Sequence, residues 1–149
     1  MKTLAALAVL ALAGCAKSAP AAGKSVTIEN ACNEPDGTQV RVTGQLDARK
    51  GLLSFCSSYG GKKTCDLALS APGQPEQQLK LSVPVGDDPG EMAELPKNFS
   101  DEDIVVHMPG GATASPGAKV TVDGKLSVAP TANASQPKVC WINVEWAAP

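Results

Sequence analysis

The chain has 149 residues, 13 Lys and Arg against 15 Asp and Glu for a formal charge of −2, and only two Phe, one Tyr and two Trp. An acidic chain this poor in rings lacks the basic footprint and the base-stacking track of a nucleic-acid binder. With 14 Gly, 12 Pro and no long 3.6-residue periodicity, it is not a helical bundle and reads as a mostly β domain with generous loops.

The first residues, MKTLAALAVLALAG, place one lysine before an apolar run from Leu4 to Ala13. That is the layout of an export signal, and the run is well short of the roughly 20 apolar residues a spanning helix needs. The ending Leu12-Ala13-Gly14-Cys15 resembles the bacterial lipobox. The resemblance implies cleavage before Cys15 and acylation of that cysteine through a thioether-linked diacylglycerol and an amide-linked chain. Several chains on one residue give stable anchoring, where a single chain binds only marginally. Residue 16 is Ala and not Asp, which by the same resemblance implies the outer membrane of a bacterial envelope, facing the periplasm. Residues 16 to 24, AKSAPAAGK, are small and hold too little apolar surface to fold, so 15–24 reads as a lipidated cysteine with its tether. Residues 25–149 are then the size of one domain.

Four further cysteines follow: Cys32, Cys56, Cys65 and Cys140. An even number in an exported chain reads as two disulfides. Zinc competes poorly, because no CxxC or HxxxH spacing occurs and His107 is remote from every cysteine. In CSSYGGKKTC, a two-residue Gly60-Gly61 turn sets Cys56 opposite Cys65 in a non-hydrogen-bonded pair, where Cα atoms approach to about 4.5 Å. The same register puts Leu52 opposite Leu69 and Ser54 opposite Leu67. Cys32 and Cys140 remain as the second pair, although sequence alone allows three connectivities.

Strands are expected near 39–47, 51–58, 64–70, 119–128 and 138–147, with a weaker one at 79–85 that Pro84 confines to an edge or an end. Two segments repeat the pattern V-x-V-x-G-x-L, Val40 to Leu46 and Val120 to Leu126. The second contains Asp123-Gly124, a hairpin signal, but apolar parity runs through Gly124 and favours one long bent strand. Ser100 to Asp103 suits a helix cap while Ile104 to Val106 suits a strand, leaving that segment open. This order of strands resembles the OB-fold, a five-stranded Greek-key barrel, with a β-sandwich as the structural alternative. It is similar to the membrane-anchored bacterial group resembling tRNA-anticodon-binding domains, through Val40-x-Val42-x-Gly44 and Gly117-x-x-Val120-x-Val122-x-Gly124. The aromatic and basic residues on which nucleic-acid binding in that group depends shrink here to Phe55, Tyr59 and Lys62-Lys63.

No GxSxG or HExxH motif occurs, and nothing in the sequence calls for a cofactor. Asp87, Asp88, Glu91, Glu94 and Asp101 to Asp103 are the acidic groups available to acid–base or calcium chemistry, and acidic loops are usually solvated surface. His107 and Met108, with Met92 nearby, form the weak candidate for a copper site, against simple packing at a strand end. Alternation in the last strand places Trp146 with Cys140, Ile142 and Val144 toward the core and leaves Trp141 outward with Asn143 and Glu145. Tyr59 and Trp141, with the loop 86–103, are therefore the candidate partner contacts. The function expected is a non-catalytic, lipid-anchored module binding an envelope protein or glycan. A copper-handling lipoprotein is the alternative, and an enzyme using the acidic groups ranks third.

Cys15→Ser is expected to abolish incorporation of labelled fatty acid into the exported protein and to release it in soluble form. Undiminished labelling of that variant would remove the basis for an anchor at Cys15.

Overall fold

The computed structural model describes residues 17–48, 55–131, 133 and 135–149. It is all-β, with three short 3-10 turns and nine strands in chain order: β1 (Lys24–Ser25), β2 (Gln39–Ala48), β3 (Cys56–Tyr59), β4 (Lys62–Ala71), β5 (Gln74–Pro84), β6 (Val106–His107), β7 (Thr113–Ala114), β8 (Lys119–Val128) and β9 (Cys140–Ala148). The main sheet runs β1-β2-β8-β9-β5-β4-β3, and a further pairing of β2 with β4 bends it into a ring. The five ring strands β2, β4, β5, β9 and β8 follow the OB-like Greek-key path, antiparallel throughout except for β5 and β9. That parallel ladder spans only Lys80 to Ser82 against Trp141 to Asn143, so the barrel is only partly closed.

The V-x-V-x-G-x-L repeat pairs with itself. Val42 faces Val122, Val40 faces Gly124 and Gly44 faces Val120 across β2 and β8. Both glycines point to the inside of a tightly curved wall. A Cβ on Gly44 would lie 2.8 Å from Ile28 Cδ1 and 2.9 Å from the Ser70 carbonyl; one on Gly124 would collide with the Asn143 carbonyl. Strand β8 is continuous through Gly124, with a bulge there instead of a turn.

The Gly60-Gly61 hairpin has the expected register: Cys56 faces Cys65, Ser57 faces Thr64, Ser58 faces Lys63 and Tyr59 faces Lys62. Both glycines have positive φ, 59° and 77°, as a primed two-residue turn requires. The disulfide Cys56–Cys65 has its Cα atoms 4.0 Å apart, and Cys32–Cys140 closes at 5.5 Å.

One strand assignment needs correction. The second ring strand is β4 and not 51–58; of that stretch Cys56–Tyr59 is an arm outside the ring, and Leu52 and Ser54 lie outside the described residues. Leu69 and Leu67 instead face Leu46 and Ala48 of β2, because β4 changes partner midway along its length. Of the two places open to the segment at 79–85, Pro84 takes the end of a strand and not an edge. The strand reaches back to Gln74 and is flanked by β4 and β9, with Pro84 tolerated because it is the last residue of the strand.

The insertion between β5 and β8 plugs the barrel. Met92, Ile104, Val106, Met108 and Ala114 are buried in the same core as the inward residues of the ring strands. At 100–107 both competing signals are realised in succession. Asp103 accepts the Ser100 backbone N–H at 2.7 Å in a capping box over the turn Asp101–Asp103, and β6 follows.

The disulfides differ in the chain they close, 108 residues for Cys32–Cys140 against 9 for Cys56–Cys65. On the chain-entropy model these are worth about 5 and about 2.5 kcal/mol. Replacing Cys32 and Cys140 by Ser is therefore expected to lower Tm further than replacing Cys56 and Cys65, as read by thermal unfolding.

Candidate functional site

Two oppositely charged residues sit at the x positions of the paired repeats. Because β2 and β8 run antiparallel, Arg41 lies directly opposite Asp123. Arg41 Nε and Nη2 donate to Asp123 Oδ1 and Oδ2 at 2.9 and 2.7 Å. The Asp123 side chain is 2% exposed and that of Arg41 is 38% exposed. The carboxylate raises the guanidinium above its ordinary pKa, first by accepting its hydrogen bonds and then by coulombic attraction. Asp123 also accepts the Gly23 N–H at 3.1 Å, and Val26 N–H donates to the Arg41 carbonyl at 3.0 Å. Residues 23–26 are thereby strapped onto the barrel with Lys24–Ser25 as β1, parallel to β2, so Lys24, expected to end an unfolded stretch, belongs to the sheet.

Strapping this segment down creates a cleft. The first half of β2 has no pairing with β4, which meets it only from Gln45 onward, and the gap is walled by residues 25–29 on one side and the β4–β5 turn on the other. The cleft has a volume of about 420 Å³, with Glu29, Arg41, Thr43, Gln74 and Gln77 among its polar lining residues and Val26, Ile28, Ala71 and Pro72 among its apolar ones. Thr43 and Thr121 share a hydroxyl hydrogen bond at 2.9 Å beside it. The Gln77 Oε1 is buried without a hydrogen-bond partner among the described residues. Such an orphan acceptor costs about 1–3 kcal/mol unless something supplies a donor.

The residues singled out in the sequence are scattered. Tyr59 is 92% exposed at the hairpin tip. Trp141 is half-buried on the outer wall of β9, opposite Lys80, which pairs with Asp66 at 2.7 Å. Trp146 is buried as expected but faces away from Cys140, Ile142 and Val144. A bulge at Glu145 flips the parity and sets Trp146 opposite Asp123, with the Gly90 backbone against it. Met92 and Met108 are core residues at 0% and 3% exposure. His107, the next residue along an extended backbone, does not share their environment; its Nε2 is 3.8 Å from Asp87 Oδ1. The structure thus does not gather His107, Met92 and Met108 into one donor set. Three of the acidic groups have separate partners: Glu91 accepts the Asp88 N–H, Glu94 pairs with Lys63, and Asp103 caps its turn. Cys15 lies outside the described residues.

The run Ser135-Gln136-Pro137-Lys138 has the SxxK spacing of some acyl-transfer enzymes. Here it lies in an exposed turn, and Ser135 Oγ donates to Asn133 Oδ1 at 2.7 Å instead of contacting a lysine. Neither histidine nor cysteine lines the 420 Å³ cleft, so its chemistry is that of hydrogen bonding by hydroxyl, amide and guanidinium groups and by the exposed Glu29 carboxylate. Arg41 and Asp123 were not singled out in the sequence, although complementary charges within matching repeats were a signal for them; the cleft itself arises only when residues distant in sequence meet.

No protein-family model, no curated protein and no solved structure matches the chain.

Asp123→Asn keeps the side chain's shape and removes its charge. Amide exchange at Gly23 and Val26 is expected to rise about tenfold, the worth of one charge-assisted hydrogen bond, while Val42 and Val122 stay protected. Equal loosening of all four amides would mean that Asp123 supports the barrel and not the strap.

Proposed function

We propose that the protein is a non-catalytic, lipid-anchored module of a bacterial envelope that binds a glycan in the cleft between residues 25–29 and the β4–β5 turn. The observation that carries this reading is the lining of that cleft: Arg41, Thr43, Gln74 and Gln77 over an aliphatic floor, with the Gln77 oxygen lacking a partner among the described residues. Hydroxyl and amide groups suit a polyhydroxylated ligand, because each can donate or accept at need, and the Glu29 carboxylate at the same cleft is a further acceptor for sugar hydroxyls. Arg41 adds little net charge, since Asp123 neutralises it from behind.

Anchorage rests on Leu12 to Cys15, and the two disulfides are compatible with an oxidising compartment outside the cytoplasm. The OB-like barrel is a frame that serves many ligands, so the site and not the fold supports the assignment. The charge of −2 and the pairing of Lys63 and Lys80 with carboxylates argue against a polyanion.

Calorimetric titration of the exported protein with envelope glycan fragments is expected to show binding that Gln77→Leu and Thr43→Val each weaken about tenfold, the loss of roughly one hydrogen bond. Stability should survive both changes, because Gln77→Leu removes an orphan buried acceptor. Trp141→Ala should leave affinity unaltered, and a single-stranded oligonucleotide should not bind at physiological salt. Loss of binding in Trp141→Ala alone would move the site to the outer wall of β9, and binding of peptides in place of glycans would change the ligand class.

A further inference from the structure

The β3–β4 hairpin projects beyond the ring, and its tip carries an unusual pair of chemistries. Tyr59 is 92% exposed, while Lys62 directly opposite it is exposed and makes no ion pair among the described residues. An aromatic ring with a hydroxyl beside lysines is the combination that settles at the boundary between lipid and water, the ring among headgroups and the ammonium on phosphate.

The tip is also where the tether arrives. Lys17, Ser18 and Pro20 line a cleft of about 730 Å³ together with Gly61, Lys62 and Lys63. Cys15 precedes Lys17 by two residues, and two residues span at most about 7 Å. A bilayer anchored at Cys15 therefore lies on the side of the molecule where this tip meets β9 and the insertion. The same cleft contains three carboxylates: Glu94 pairs with Lys63, whereas Glu91 and Glu145 accept from the neutral Asp88 N–H and Gln39 amide, the latter at 2.8 Å, and keep their charge. The cleft is therefore balanced in charge, and the cation that projects past it is Lys62, exposed opposite Tyr59.

We propose that the Tyr59–Lys62 tip is a second membrane contact, which holds the barrel tip-down on a bilayer containing anionic lipid. The proposal rests on acylation of Cys15, as in the function proposed above. Its consequence is orientation. Strand β4 runs from Lys62 to Ala71, and Ala71 with Pro72 lines the polar cleft at its other end. Nine steps of strand are roughly 30 Å, so the ligand cleft is held away from the membrane.

The test uses the full-length acylated protein in vesicles of phosphatidylethanolamine and phosphatidylglycerol, with acyl chains brominated near the headgroup. Tyr59→Trp adds a reporter at an exposed position, and the emission it adds over the parent protein is compared between brominated and plain lipid. The added emission is expected to fall at least about twofold on brominated lipid, as for an interfacial ring, and to recover in Tyr59→Trp/Lys62→Glu or when phosphatidylglycerol is left out. Equal emission on both lipids, with mass spectrometry showing Cys15 acylated, overturns the membrane contact while leaving the anchor standing. Shielding of residue 59 only after envelope proteins are added makes the tip a protein contact and also overturns it. An unacylated Cys15 removes the anchor and the tip-down orientation together.

Discussion

Val42 packs opposite Val122 where two copies of one short pattern meet head to tail, and the geometry of the barrel follows from that meeting. Valines on one face of each copy build the inner wall, and a glycine in each copy lets the wall curve where a side chain would strike a neighbour. The residue between the valines of β2 and the residue before the glycine of β8 then fall opposite one another on the outer face. One is Arg41 and the other Asp123, so the register that buries the valines also joins the charges. A slip of one residue would turn the valines outward and separate the charges at the same time. Two independent forces therefore specify one register, which is the local agreement a small β domain needs to avoid competing pairings.

The rest of the chain completes what this ladder leaves open. A ring held by only three residue pairs between β5 and β9 cannot exclude water by hydrogen bonding alone. The end of the barrel is stopped by Met92, Ile104, Val106 and Met108 from the insertion, side chains that fill an irregular space well because methionine is flexible. Cys32–Cys140 then ties the segment leading into β2 to the strand on the far side of β8. With its ends pinned, the insertion is free to vary in its exposed half, including Asp87, Asp88 and Glu94, without loosening the core.

What was legible in the sequence was whatever depends on period and on near neighbours. Alternating valines and the Gly-Gly turn gave the strands, the hairpin register and the Cys56–Cys65 staple, each decided within about ten residues, and Cys32–Cys140 followed as the remaining pair. Partner exchange was not legible: nothing in Lys62 to Ala71 records that its first half pairs with β3 and its second with β2. Pro84 understated β5 because sequence does not say whether a proline ends a strand or interrupts it. Parity failed at Trp146 for the same kind of reason, since the Glu145 bulge exists only in relation to Gly124 on the neighbouring strand. The candidate site was the least legible part. Tyr59 and Trp141 stood out as rare aromatics, whereas Thr43 and Gln77 are unremarkable letters that matter only because the strapped segment and the β4–β5 turn face each other across them.

The exchange of partners along β4 is what separates the two ends of the molecule. Its first half carries a narrow arm ending in Tyr59 and its second half closes the ring against β2. Since β4 leaves β2 unpaired before Gln45, the upper edge of β2 needs another partner, and the strap at Lys24–Ser25 supplies it. The strap is held in part by the buried Asp123 carboxylate, which accepts the Gly23 N–H. A tether docked in this way transmits orientation to the domain, where a free coil of small residues would allow it to turn in any direction. The cleft wall is formed by this same docked segment, so a ligand that bridges residues 25–29 and Gln77 would tighten the strap, and loosening the strap would in turn weaken the ligand, by linkage.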